Sequence, residues 1–331
     1  MRERWSAWAV VVIVAVVIGL GAFGRADSAV DTVEVGTIDG GSGLLVRLVI
    51  EQYDLDGKNG LKVKWLPFAT PQTANSTFAL GKFPVHSSMN PIALVRLRNA
   101  GKDIVAVYSA LKLNLYVVVK KDSPYTKFAD LRGKRLGITG WTTDSTVALV
   151  ALARQVDKLD LKKDLSVFVA APPALMGLLE KGEIDAVYIY DPFALKLLLS
   201  GNYRQIMDTG AEWERAHQES FLMSTIGVYA PYAKSNPEIV RKVVKTMRDA
   251  FDTIARNPAV FTEIGFFEKT GLDRTPEAEK LLRERLSRLF PNRFDPSLVK
   301  SVNLQIGESV RMGLVEKERD DWYTFEYLPG R

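Results

Sequence analysis

The chain has 331 residues, 44 of them Lys or Arg and 39 Asp or Glu, giving a net charge of +5, and it contains no cysteine. Disulfides, thiolate metal sites and a lipid-anchor cysteine are thereby excluded, and the two histidines, His86 and His217, are too far apart for a His-rich metal motif. No Lys/Arg run is interleaved with aromatics as a nucleic-acid groove requires, so nucleic acid is not an expected partner.

The amino end opens with Arg2 and Arg4, continues as an almost unbroken apolar run over residues 7–23, and ends in the small residues Gly24-Arg25-Ala26-Asp27-Ser28-Ala29. This pattern predicts a signal segment over residues 1–29, cut after Ala26 or Ala29, and hence a periplasmic or other extracytoplasmic location. An uncleaved anchor is the competing reading, since about 17 apolar residues lie near the lower limit for a membrane span. The remaining length, about 300 residues, suits two domains better than one.

In chain order, residues 32–36 read as a strand, followed by the turn Asp39-Gly40-Gly41-Ser42-Gly43 into a helix over 44–52. Glycines there allow close backbone approach, and Ser42 suits a helix cap. The turn is neither a G-x-G-x-x-G fingerprint nor a phosphate loop ending in Gly-Lys-Ser/Thr, so no nucleotide is inferred. A strand at 61–66, a helix at 73–80 and a strand at 84–86 follow, the last ending in Ser87-Ser88-Met89-Asn90-Pro91. Small polar residues at strand ends matter because ligands of open parallel sheets sit beyond the strands' carboxyl ends.

Residues 114–120 are the most strand-like run, and the polar Lys120-Lys121-Asp122-Ser123-Pro124 after it predicts a crossing into a second domain. Residues 130–146 then read as a basic turn, a strand at 135–138, a loop of hydroxyl and small residues, and a helix opening at Asp144 or Ser145. Free N–H groups at that helix start, with Thr139, Thr142, Thr143 and Ser145 beside them, suit a small anion or polar group. Equally, those hydroxyls serve only as caps and Trp141 as a packed loop aromatic. Further strands are expected at 165–170, 186–189 and 204–207, with a return crossing at 221–230. From Asn236 onward the pattern is helical, with Ile239, Val240, Val243, Val244, Met247, Ala250, Phe251 and Ile254 at helical spacing and later helices at 276–289 and 296–312.

An internal repeat organises these elements. Gly81 and Gly182 stand at one offset, as do Pro91 and Pro192, and each unit continues into an apolar helix, a glycine (Gly101, Gly201) and a short strand. Two similar α/β halves are expected, with a small-molecule site in the cleft between them.

Leu80-Gly81 with Pro84-Val85, the run Asp130-Leu131-Arg132-Gly133-Lys134-Arg135-Leu136-Gly137, and Leu179-Glu180-Lys181-Gly182-Glu183-Ile184-Asp185-Ala186 with Asp191-Pro192 occur in one order across residues 33–233. In these the chain resembles the periplasmic solute-binding proteins of ABC importers, in the group handling nitrate, aliphatic sulfonates, taurine and thiamine-pyrimidine precursors. The resemblance implies a two-lobed α/β fold of the type II periplasmic-binding-protein kind, with lobes at 30–119 plus 225–331 and at 120–224, joined by two crossing strands. It also implies a small-molecule solute, the transmembrane subunits of an ABC permease as partner, a monomer, and neither cofactor nor catalysis. Carried over by position, the ligand-binding residues are Asp39, Gly40, Ser42, Ser87, Ser88, Asn90, Thr139, Trp141, Thr142, Thr143, Asp144, Ser145, Tyr188, Tyr190 and Asp191.

The chain departs from that family at two places: Trp141-Thr142-Thr143-Asp144 replaces a Gly-Ser pair, and Gly81-Lys82-Phe83-Pro84 replaces a Gly-x-Val-Asp type segment. Asp144 and Asp191 disfavour a doubly charged anion unless a base pairs with them. Trp141, Tyr188 and Tyr190 offer flat faces, so an organic solute, sulfonate- or taurine-like or ring-containing, is expected over bare nitrate; the alternative places the tyrosines in the core. His86 ends a strand and is either cleft-lining or structural. A membrane-anchored sensor using the same cleft remains the alternative function.

Overall fold

The computed structural model describes residues 30–330. The expected signal segment at 1–29 lies outside the described residues. Among those described, no helix is long and apolar enough to cross a membrane.

Among the described residues ten strands form two five-stranded sheets. The first has the order β2-β1-β3-β10-β4, built from β1 (Asp31–Ile38), β2 (Leu61–Phe68), β3 (Val85–Met89), β4 (Ile104–Lys112) and β10 (Leu222–Tyr229). The second has the order β7-β6-β8-β5-β9, from β5 (Leu115–Lys120), β6 (Arg135–Ile138), β7 (Ser166–Val169), β8 (Ala186–Tyr190) and β9 (Tyr203–Asp208). In each sheet four strands run in one direction and the fifth lies antiparallel between its neighbours: β10 between β3 and β4, β5 between β8 and β9. Strand for strand the two sheets repeat one topology. The first residues of β3 and β8, Val85 and Ala186, keep the 101-residue offset of the sequence repeat.

Helices of seven residues or more are α1 (Gly41–Tyr53), α2 (Pro71–Ala79), α3 (Pro91–Asn99), α4 (Asp144–Leu152), α5 (Pro172–Lys181), α6 (Phe193–Leu199), α7 (Thr209–His217), α8 (Pro237–Arg256), α9 (Pro276–Leu286) and α10 (Pro296–Arg311). Proline at the first helical position recurs because a first-turn N–H has no helical partner to lose. The apolar stripe of α8 is buried from Val240 to Ile254 as its spacing requires, and it packs with Val35, Val85 and Ile226 in the first lobe's core. The second sheet is covered on both faces. Val117, Ile138, Leu149 and Trp213 fill one side, Val118, Leu175, Val187 and Leu197 the other.

The chain passes between the sheets twice. Only Leu113 and Asn114 separate β4 from β5, so sheet membership changes there, ahead of residue 119 where the sequence places the crossing. The return is residues 218–221, between α7 and β10. The two passages touch: the Leu113 N–H donates to the Phe221 carbonyl at 3.0 Å. A Cβ on Gly210 would lie 2.4 Å from the Leu113 carbonyl oxygen, so the start of α7 is seated directly on the crossing. From Asp31 on, the lobes together form one compact unit.

Candidate functional site

The seam between the lobes is lined by helix starts. Strand β1 feeds α1, β3 feeds α3, β6 feeds α4 and β8 feeds α6, so first turns from both lobes converge beyond the strands' carboxyl ends. Each start carries N–H groups without a helical acceptor and a partial positive charge. What satisfies them differs from one helix to the next.

On α1 no side chain caps the first turn: the N-cap is Gly40, followed by Gly41 at φ 52° and Ser42. That left-handed φ favours glycine, and a Cβ on Gly41 would sit 3.7 Å from the Asp191 carbonyl oxygen across the seam. Asp39 is turned outward to Arg47, at 2.6 Å. On α4 the Thr143 hydroxyl accepts from the Thr146 N–H at 3.2 Å and lies 3.1 Å from the Ser145 hydroxyl. The hydroxyl loop therefore caps its own helix.

Asp144, the first residue of α4, is 5% exposed, and its carboxylate reaches into the other lobe, accepting the Ile92 N–H of α3 at 3.3 Å. Burial pushes its pKa up to about 7, against the pull of the Ile92 and Asp144 amides and of Arg96. Its counterpart Asp191 is buried before α6, at a cis Asp191-Pro192 peptide. Burial raises Asp191 to about 6, with the Arg285 guanidinium opposing. Arg285, from α9, donates to Asp191 at 2.9 Å, lies 3.8 Å over the Tyr116 ring and donates also to Gln205.

The remaining expected residues fall into three groups. Asn90 spans to β10, its amide donating to the Met223 carbonyl at 2.9 Å, and Ser88 is half-buried beside it. Trp141, Thr139 and Tyr190 are half-buried and Thr142 is exposed. One face of Trp141 is covered by the Lys162 ammonium at 5.3 Å, and Tyr190 packs edge-on against Phe193. Ser87 and Tyr188 point into the protein. Ser87 donates to the Gly36 carbonyl, while Tyr188 is fully buried with its hydroxyl donating to the Ser145 carbonyl at 2.9 Å. Tyr188 thus supports the start of α4 from beneath and offers no free face. His86 is fully buried beside Phe78 and Phe83, and burial lowers its pKa to about 3. A separate hollow of about 300 Å³ lies between α5, α6 and Leu272, lined by Met176, Phe193 and Lys196 and by none of the expected residues.

Arg285 was not foreseen. It sits among Arg283 and Arg288 in an amphipathic stretch, and nothing local marks it as the base for Asp191. The requirement that a buried aspartate find a base was the available signal.

Asp144 binds its proton more tightly in the folded than in the unfolded chain, so it favours folding below about pH 4 and that advantage declines as pH rises to about 7. Asp144→Asn is therefore expected to melt with the wild type near pH 4 and several degrees above it at pH 8. Superimposable melting curves at both pH values would show the carboxylate to be solvated.

Two lobes of one topology, joined by paired crossings, with helix starts facing across the seam, define a protein of the periplasmic-binding-protein fold. The chain belongs to the NMT1/THI5 like family, whose model matches residues 57–260. It is 23% identical over 211 residues to the taurine-binding periplasmic protein of Escherichia coli (strain K12), covering 62% of this chain and 61% of that protein. To the putative aliphatic sulfonates-binding protein of the same organism it is 23% identical over 270 residues, covering 81% of this chain and 76% of the relative. The chain thus spans less than two thirds of the first relative's length. The crystal structure of the periplasmic aliphatic sulphonate binding protein SsuA from Escherichia coli superposes with a TM-score of 0.71 at 19% identity, over 88% of this chain and 90% of that one. The desulfurization enzyme DSZB shares the fold as well, with a TM-score of 0.66 at 16% identity, over 90% and 97% of the two chains. The fold alone therefore does not separate binding from catalysis.

Proposed function

We propose that the chain is the extracytoplasmic solute-binding component of an ABC importer, taking a small organic solute between its lobes and presenting the closed form to the transmembrane subunits of a permease. The observation that carries this reading is the set of four helix starts, two from each lobe, meeting in one seam across a two-passage crossing. A solute that touches both rims is bound more tightly by the closed arrangement and shifts the population toward it. The family's taurine- and sulfonate-binding relatives support the solute class. Ser42, Ser88, Asn90, Thr142 and one face each of Trp141 and Tyr190 are the groups left to contact it.

No catalytic role is assigned. The two histidines are spent on packing, His86 among phenylalanines and His217 tilted against Trp213 at 4.0 Å. Neither stands with a nucleophile in the seam. Export by the segment at 1–29 completes the reading, as does action as a monomer.

The test is a thermal-shift screen with taurine, alkanesulfonates, aromatic acids and pyrimidines. A ligand at a hundred times its dissociation constant stabilises the folded chain by about 2.7 kcal/mol, a shift of several degrees at this size. Trp141→Ala is expected to weaken the best hit at least tenfold, measured by calorimetry. An unchanged affinity would place the solute elsewhere.

A further inference from the structure

We propose that Asp144 is a specificity-determining residue of this cleft: its carboxylate occupies the seat that the first turns of α3 and α4 offer to an anionic headgroup, so the solute presents an uncharged or cationic group there and free oxyanions are excluded. This rests on the receptor reading above and narrows its solute class.

The argument begins with what an anion needs at such a seam. Helix starts supply free N–H groups and a partial positive charge, and an anion bridging two of them would hold the lobes together. The chain already supplies that anion. Asp144 stands at the first position of α4, is 5% exposed, and takes the Ile92 N–H from the opposite lobe at 3.3 Å. At the neighbouring α6 start a second carboxylate, Asp191, is buried likewise.

Of the cations around the cleft, Arg96 of α3 opposes this charge without outweighing the effect of burial. Arg47 is held by Asp39, Arg285 by Asp191 and Lys162 by the Trp141 ring. Among charged groups on the elements packed against α4, Arg96 of α3 is the one acting on Asp144. Glu308 of α10 is engaged with Arg154 and Arg311, and Asp208, at the start of α7, accepts the Ala211 amide. A second unit charge about 5 Å from Asp144, at the effective dielectric of a protein interior, weakens anion binding roughly hundredfold. A neutral donor or an ammonium group placed near the same carboxylate meets no such repulsion.

The experiment titrates methanesulfonate and nitrate calorimetrically into the wild type, Asp144→Asn and Asp144→Ser at pH 8 and pH 5.5. Asparagine retains an acceptor for the Ile92 amide, and the serine variant and circular dichroism melts guard against misfolding. At pH 8 the variants are expected to bind methanesulfonate about a hundredfold more tightly than the wild type. At pH 5.5 the gap is expected to close, because protonation of Asp144 removes its charge in the wild type. Asp191 titrates in the same window, and its share is whatever pH dependence persists in Asp144→Asn. Equal anion affinities at pH 8, or no anion binding by any form, would overturn the proposal, as would a wild-type affinity independent of pH. Failure of every solute, charged or not, to shift the melting point would instead remove the receptor reading beneath it.

Discussion

Arg285→Ala is expected to lower stability at pH 8 by about 3–5 kcal/mol, which for a chain of this size is a fall in melting temperature of roughly 5–10 °C. The cost arises from what remains. Asp191 is 1% exposed at its side chain and would be left buried without the guanidinium 2.9 Å away, at pH 8 either as an unpaired charge or by taking up a proton, while the Tyr116 face and the Gln205 side-chain oxygen would lose their partner. The pH dependence follows from the direction of the Asp191 shift. Its folded pKa is already above the ordinary carboxylate value, so its contribution favours folding at low pH and declines as pH climbs from about 4 through 6. Without Arg285 that decline extends further upward. The deficit is therefore expected to be large at pH 8 and to narrow by pH 5, and Asp191→Asn added to Arg285→Ala is expected to recover part of it. Melts at the two pH values decide the matter. A deficit independent of pH would mean that the arginine acts through packing alone.

Trp213→Ala carries a comparable expectation for a different reason. The indole is fully buried in α7, tilted against His217 at 4.0 Å and edge-on to Phe221 at 4.8 Å. Its N–H points to the Ser301 hydroxyl of α10 at 3.4 Å, and Ser301 in turn donates to the Ser220 carbonyl in the return crossing. Truncation leaves a cavity beside the passage that joins the lobes, with an expected loss of about 3–5 kcal/mol. Trp213→Phe, which keeps most of the volume, is expected to lose well under half as much. Denaturant melts of the pair would distinguish packing from the hydrogen bond: equal losses would assign the effect to the indole N–H.

Both residues lie where local pattern says least. Much of the remainder was legible, because the elements that repeat carry local chemistry. Pro91 opens α3 and Pro192 immediately precedes α6, each just past a strand end, and Thr143 caps α4 as its spacing requires. Strand β6 and the buried face of α8 follow from periodicity in the same way. Tyr188 illustrates the limit. Its strand is covered on both faces, so alternation cannot tell a core tyrosine from one turned to a cleft, and its hydroxyl found a backbone carbonyl 43 positions away. Asp191 and Arg285 meet across 94 positions, a pairing with no local trace. The passage at Leu113-Asn114 was hidden for a third reason. The strand-like residues on both sides of it read as strand whichever sheet they join.

The placement of β10 bears on how the molecule is made. The second sheet draws all its strands from one uninterrupted stretch, β5 to β9, and is complete once Asp208 has been synthesised. The first sheet has its fourth place, between the central β3 and the edge strand β4, filled by a strand that ends at Tyr229. A chain emerging from its amino end thus completes its later lobe first, while the earlier one waits with two open edges for a strand encoded more than a hundred positions downstream.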